Sequence, residues 1–190
     1  MDALLTSTLA VAIAEIGDKT QLLAFVLACR YCRPWPVVAG ILVATLANHA
    51  VAALAGVWVE GLLDPEWMRW VIGVSFLAMA GWTLVPDKLD DGDAPKLGAA
   101  GPFLATLVSF FLVEIGDKTQ VATVILAAKF EMLTMVVIGT TLGMLAANAP
   151  VVFFGDGLAK RIPLKTVRLA AAALFAVLGL VVLFGGAKLG

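Results

Sequence analysis

The chain has 190 residues, of which 62% are hydrophobic and only 14% charged. A water-soluble domain of this length needs a mixed, charged surface that this composition cannot supply, so the solvent for most of the chain is lipid. A formal net charge of −1 leaves no basic excess to neutralise phosphate, which excludes a nucleic-acid partner.

A spanning helix needs about 20 apolar residues. Segments 3–29, 36–62, 67–85, 102–128, 132–158 and 166–187 meet that length, and polar or proline-containing breaks separate them. The first segment begins MDALLTSTLAV, without the positive flank of a secretory signal, and is expected to be retained. It runs into Cys29 and Cys32, a lone CxxC with no second pair to complete a structural zinc site. These cysteines read as small apolar residues at a helix end. The second segment carries Asn48 and His49 at mid-span. Trp35, Trp58, Trp67, Trp70 and Trp82 mostly flank the segments and read as interfacial anchors.

The longest break is Pro86–Gly101. Its Asp87, Asp90, Asp91 and Asp93 lack EF-hand spacing and the closing Glu, so they read as a solvated linker. In the fifth segment Asn148 lies at mid-span, and Asp156, near the end, suits either an access path or the surface.

The two halves repeat. EIGDKTQ at Glu15–Gln21 recurs letter for letter at Glu114–Gln120, an offset of 99 residues. The same offset aligns Gly40 with Gly139, His49 with Asn148, Arg69 with Arg168 and Phe76 with Phe175. The expected architecture is therefore an all-α integral membrane protein of six transmembrane helices. Residues 1–85 form one three-helix repeat, 86–101 a linker, and 102–190 the second repeat. Three is odd, so the second repeat enters the bilayer in the opposite sense, an inverted topology common in transporters. Six strands would not close a barrel of the usual size. Arg30, Arg33, Lys88, Lys96, Lys160, Arg161, Lys165 and Arg168 fall on one side, and Arg69, Lys129 and Lys188 on the other. The first side is then cytoplasmic, with the linker inside and both termini outside.

Both motifs fall at the middle of their segments, so Glu15, Asp18, Lys19, Glu114, Asp117 and Lys118 lie within the membrane. Six charges at helix centres cost roughly 15–20 kcal/mol before pairing. Ion-paired glue between helices is the bland alternative, but polar glue in membranes is usually uncharged and weak. On a regular helix Glu15, Asp18 and Gln21 form one stripe, as do Glu114, Asp117 and Gln120. Six oxygen-bearing side chains around one point suit a hard divalent cation. Gly17 and Gly116 serve either close packing or a local unwinding that frees backbone carbonyls. Lys19 lies four residues after Glu15, in range to pair with it along a helix. Thr20 and Thr119 support the site or bond to their own backbone.

Four acids and two lysines sum to −2, which one divalent cation or two protons neutralise. Crowded carboxylates do not all stay ionised when the metal leaves, so protons bind in its place. That exchange needs no prosthetic group and no ATP, and the chain has no Walker motif.

Two copies of E-x-G-D-K-T in a six-helix chain resemble the signature of the GDT-type cation/proton antiporters. That family includes the Golgi manganese and calcium transporters of eukaryotes and bacterial manganese exporters. The resemblance covers the whole chain. It implies Glu15, Asp18, Glu114 and Asp117 as the metal and proton site, manganese or calcium as cargo, and a place in a bacterial inner membrane. His49, the only imidazole in the chain, is a nitrogen ligand better suited to manganese than to calcium, a proton relay, or a polar helix contact. Three other readings compete. An amino-acid exporter would want balanced charge. An intramembrane enzyme would want a nucleophile and base, or a zinc-type His cluster. A structural scaffold leaves the buried acids unexplained. Partners are thus the metal ion and the bilayer, with homo-oligomerisation left open.

Overall fold

The computed structural model describes residues 2–86, 101–155 and 163–185, which form eight helices and no strand. They are α1 (Asp2–Glu15), α2 (Lys19–Tyr31), α3 (Pro34–Glu60), α4 (Pro65–Thr83), α5 (Pro102–Glu114), α6 (Lys118–Phe130), α7 (Leu133–Phe154) and α8 (Leu164–Phe184). Three of them, α3, α7 and α8, are long and apolar enough to cross a membrane. The linker acids Asp87, Asp90, Asp91 and Asp93, together with Asp156, lie outside the described residues.

The first and fourth segments are not continuous helices, which corrects the unbroken stripe expected for Glu15, Asp18 and Gln21. Each breaks inside its motif. Gly17 and Gly116 take φ of +82° and +76°, a left-handed conformation that glycine adopts without a Cβ clash. The aspartate that follows is extended, with φ −82° and ψ 168° at Asp18 and φ −77° and ψ 164° at Asp117. It becomes the N-cap of the next helix. The Asp18 N–H donates to Glu15 O at 3.0 Å and the Asp117 N–H to Glu114 O at 3.1 Å, closing the same tight turn twice. The duplication thus extends to the backbone. It reaches the far ends of α2 and α6, where Cys32 and Glu131 take left-handed φ values of 51° and 53°.

The packing is also paired. α1 lies along α7, and its counterpart α5 along α3; α6 packs on α3, and α2 on α7. Gly40 and Gly139 let two of these backbones approach. An added Cβ would sit 2.8 Å from Phe103 O on α5 and 2.7 Å from Leu4 O on α1, respectively. α4 crosses α8, where the repeat-related Phe76 and Phe175 stack on each other with ring centroids 6.2 Å apart.

The surface differs from that of a water-soluble protein. All five tryptophans are exposed, as are Leu5, Leu54, Phe154, Leu169 and Phe184. Glu15, Asp18, Glu114, Asp117 and Lys118 are buried. An apolar surface around an apolar core that encloses a few acids matches a lipid solvent outside and a confined polar site inside. Cys29 and Cys32 are free and exposed at the end of α2.

Candidate metal centre

The two breaks bring the motifs of both halves to one place. One carboxylate oxygen from each of Glu15, Glu114 and Asp117 lies within 4.8 Å of the other two, and all three residues are buried. Glu15 closes α1, Glu114 closes α5, and Asp117 opens α6. Asp117 makes no side-chain capping bond, which leaves its carboxylate to face the cluster. Asp18 is buried too, but its carboxylate is not one of the three.

An unbroken helix would pair Lys19 with Glu15. With the helix interrupted between them, Lys19 Nζ lies 3.1 Å from Asp117 Oδ1, so the ion pair joins the two halves. Lys118 Nζ donates to Val85 O at 3.0 Å, at the end of the third segment.

His49 and Asn148, matched by the repeat, serve opposite glutamates. His49 Nε2 is 3.2 Å from Glu114 Oε2, and Asn148 Nδ2 donates to Glu15 Oε1 at 3.0 Å. Each long helix thus carries a polar residue that holds the glutamate of the other half. Thr119 Oγ1 lies 3.3 Å from both Glu114 Oε1 and Asp117 Oδ2. Its counterpart Thr20 has no hydrogen-bond partner for Oγ1, and neither do Glu15 Oε2, Asn148 Oδ1 and His49 Nδ1. Orphaned polar atoms are costly when buried. Three of these four atoms are oxygens, the ligand type of a hard cation, and they suit a site that an ion completes.

Gln21 and Gln120 use their amide oxygens differently from the ligand role their spacing suggests. Gln21 Oε1 accepts the Gly17 N–H at 3.0 Å, and Gln120 Oε1 accepts the Gly116 N–H at 2.7 Å. Each oxygen brackets its own break. Gln21 Nε2 donates to Ala147 O and Asn48 Nδ2 to Phe111 O, backbone partners that the sequence could not show because no side-chain pattern marks a carbonyl. The 99-residue offset, however, already matches Ala147 with Asn48.

The model of the divalent cation/proton antiporter GDT1 family matches residues 3–91 and 102–189, nearly the whole chain and both motifs. The chain belongs to this family. A GDT1 member is a membrane transporter that exchanges a divalent cation for protons, and the doubled acidic motif around the cluster accords with that. Among relatives, a Vibrio cholerae protein described as a candidate manganese exporter is 51% identical over 97% of this chain and 92% of its own length. A GDT1-like protein of Synechocystis is 30% identical over 92% of this chain and 93% of its own. The rice protein named GDT1-like protein 5 is 28% identical over 95% of this chain and 94% of its own. No solved structure matches the chain.

Proposed function

We propose that this GDT1 protein exports Mn²⁺ from the cytoplasm in exchange for protons, by alternating access of two inverted three-helix repeats. The observation that carries the reading is the gathering of Glu15, Glu114 and Asp117 within 4.8 Å in the buried interior. Three carboxylates at that spacing repel one another strongly unless a cation or protons sit among them. Glu15, Asp18, Glu114 and Asp117 are the metal and proton residues of this proposal. His49, Asn148, Thr20 and Thr119 line or orient them, and Lys19 and Lys118 balance charge. Matched helix pairs and the Phe76–Phe175 stack support a two-fold relation between the repeats. Broken helices at the centre of opposed repeats are a common transporter device.

Manganese is favoured over calcium because His49, bonded to Glu114, sets an imidazole beside the cluster, and imidazole suits a transition metal better than calcium. The name of the Vibrio relative points the same way. The deciding experiment uses purified protein in proteoliposomes with an imposed pH gradient. Mn²⁺ should drive proton movement, Ca²⁺ should compete more weakly, and amino acids should have no effect. Proton flux that ignores every divalent cation would sink the proposal. Within the same assay, His49→Asn should narrow the preference for Mn²⁺ over Ca²⁺ by about 5- to 10-fold, the scale of one exchanged ligand or hydrogen bond. Unchanged relative affinities would reduce His49 to a helix contact.

The orientation places the α2–α3 junction in the cytoplasm and the α3–α4 junction outside. Native Cys32 should then be labelled only from the inside by a membrane-impermeant thiol reagent. An Asp64→Cys substitution in a chain lacking Cys29 and Cys32 should be labelled only from the outside. Labelling of both from one side would be incompatible with this topology.

A further inference from the structure

The two helix breaks are braced by different means. At the first, Gln21 joins the Gly17 N–H to the backbone oxygen of Ala147 on α7, with its Nε2 donating at 3.0 Å. At the second, Gln120 joins the Gly116 N–H to a side chain, donating from Nε2 to Asn48 Oδ1 on α3. Asn48 Nδ2 then donates to Phe111 O on α5 at 3.2 Å. Asn48 therefore holds both arms of its break. It grips α5 three residues before Glu114, and α6 through Gln120 three residues after Asp117. Its repeat counterpart Ala147 has no side-chain amide and holds one arm only. The first break has another support. A side chain at Gly17 would collide with Leu164 of α8, whereas the space around Gly116 is open. The acids follow the same division. Glu114 and Asp117 both belong to the cluster, but of the first motif only Glu15 does.

We propose that Asn48 is a positioning residue that clamps the second helix break through Gln120 and Phe111 and so brings Asp117 into the carboxylate cluster. This rests on the reading of that cluster as the metal site. Both ends of the Asn48 amide are engaged, so Asn48 acts on the metal through Asp117 and not as a ligand. Gln120 acts in the same chain, its oxygen committed to Gly116.

The test is a double-mutant cycle on Mn²⁺ binding to the purified full-length protein, measured by calorimetry. Asn48→Ala, which copies the first half, should weaken binding about 10-fold in the wild type. In an Asp117→Asn background the same change should weaken it less than about 2-fold, and in an Asp18→Asn background again about 10-fold. An equal loss in the wild-type and Asp117→Asn backgrounds would overturn the proposal. Gln120→Met removes both the donor to Asn48 and the acceptor for Gly116 and adds no charge beside the carboxylates. It should give the same non-additivity, and it serves if Asn48→Ala does not fold. Hydrogen exchange without metal supplies an independent reading. Asn48→Ala should speed exchange of the Gly116 amide about 5- to 10-fold and leave that of Gly17 unchanged. Equal effects at both glycines, or none, would remove the clamp. A wild-type protein that binds no Mn²⁺ would instead sink the transport reading, and the exchange data would still decide the clamp.

Discussion

Glu15→Gln, Glu114→Gln and Asp117→Asn should each lower Mn²⁺ transport by at least about 100-fold while the protein still inserts and folds. Each substitution keeps the shape of the side chain and removes one negative charge. A unit charge and a divalent ion about 4 Å apart attract by about 8 kcal/mol at an effective dielectric of 20. Desolvation offsets much of that, yet a third of it already corresponds to about 100-fold in affinity. Folding is expected to survive because the change removes repulsion within the cluster of Glu15, Glu114 and Asp117. Asp18→Asn should lose less than the other three, because its carboxylate stands outside that cluster. Transport by reconstituted variants, normalised to protein recovered in the bilayer, gives the comparison. Wild-type rates in any two of the three cluster variants would show that the site lies elsewhere.

The acids were legible from the sequence because of two separable facts. Charge at the middle of an apolar segment is expensive, and the same seven residues occur twice at an offset of 99. The helical content and the matching of His49 with Asn148 followed from the same pattern. The breaks were not legible. Gly17 and Gly116 suit close packing as well as unwinding, and helical spacing assumes a regular helix through them. What decides it is three-dimensional. The Gln21 and Gln120 amides accept the glycine N–H groups at 3.0 and 2.7 Å, bonds that form only once the chain has turned. Lys19 illustrates the consequence, since its nearest expected partner along a helix was Glu15 and the break delivers it to Asp117. Contacts between halves are equally silent in a linear pattern. Periodicity says which face of a helix is polar, and not which residue on another helix meets it. The structural asymmetry between Asn48 and Ala147 was present as a mismatch in the repeat, but a mismatch gains meaning only when its neighbours are known.

Lowering the pH by one unit should weaken Mn²⁺ binding by up to about 100-fold, and a transmembrane voltage should hardly affect transport. The four acids and two lysines of the motifs sum to −2. An empty, fully ionised site would leave that charge uncompensated in a poorly polarisable interior, so it is sparsely populated. In the proposed cycle the abundant states hold either one divalent cation or about two protons. Metal binding then releases two protons, and the apparent dissociation constant rises with the square of proton concentration wherever the metal-free site is protonated. The sign is fixed by the competition: protons and metal share oxygens, so acid weakens the metal. At higher pH, where the empty site has already lost its protons, the dependence flattens to zero. Exchanging two positive charges for two protons moves no net charge. A 100 mV potential would be worth about 2.3 kcal/mol, or about 50-fold in accumulation, if one net charge crossed per cycle. For two-for-one exchange it should shift accumulation less than about 2-fold. A pH gradient of one unit should shift it by up to about 100-fold. Calorimetric titrations across a pH series and flux under valinomycin-clamped potentials measure the two quantities separately. Binding that ignores pH would separate the proton site from the metal site. Accumulation that follows voltage at zero pH gradient would replace the two-proton cycle by one that carries charge.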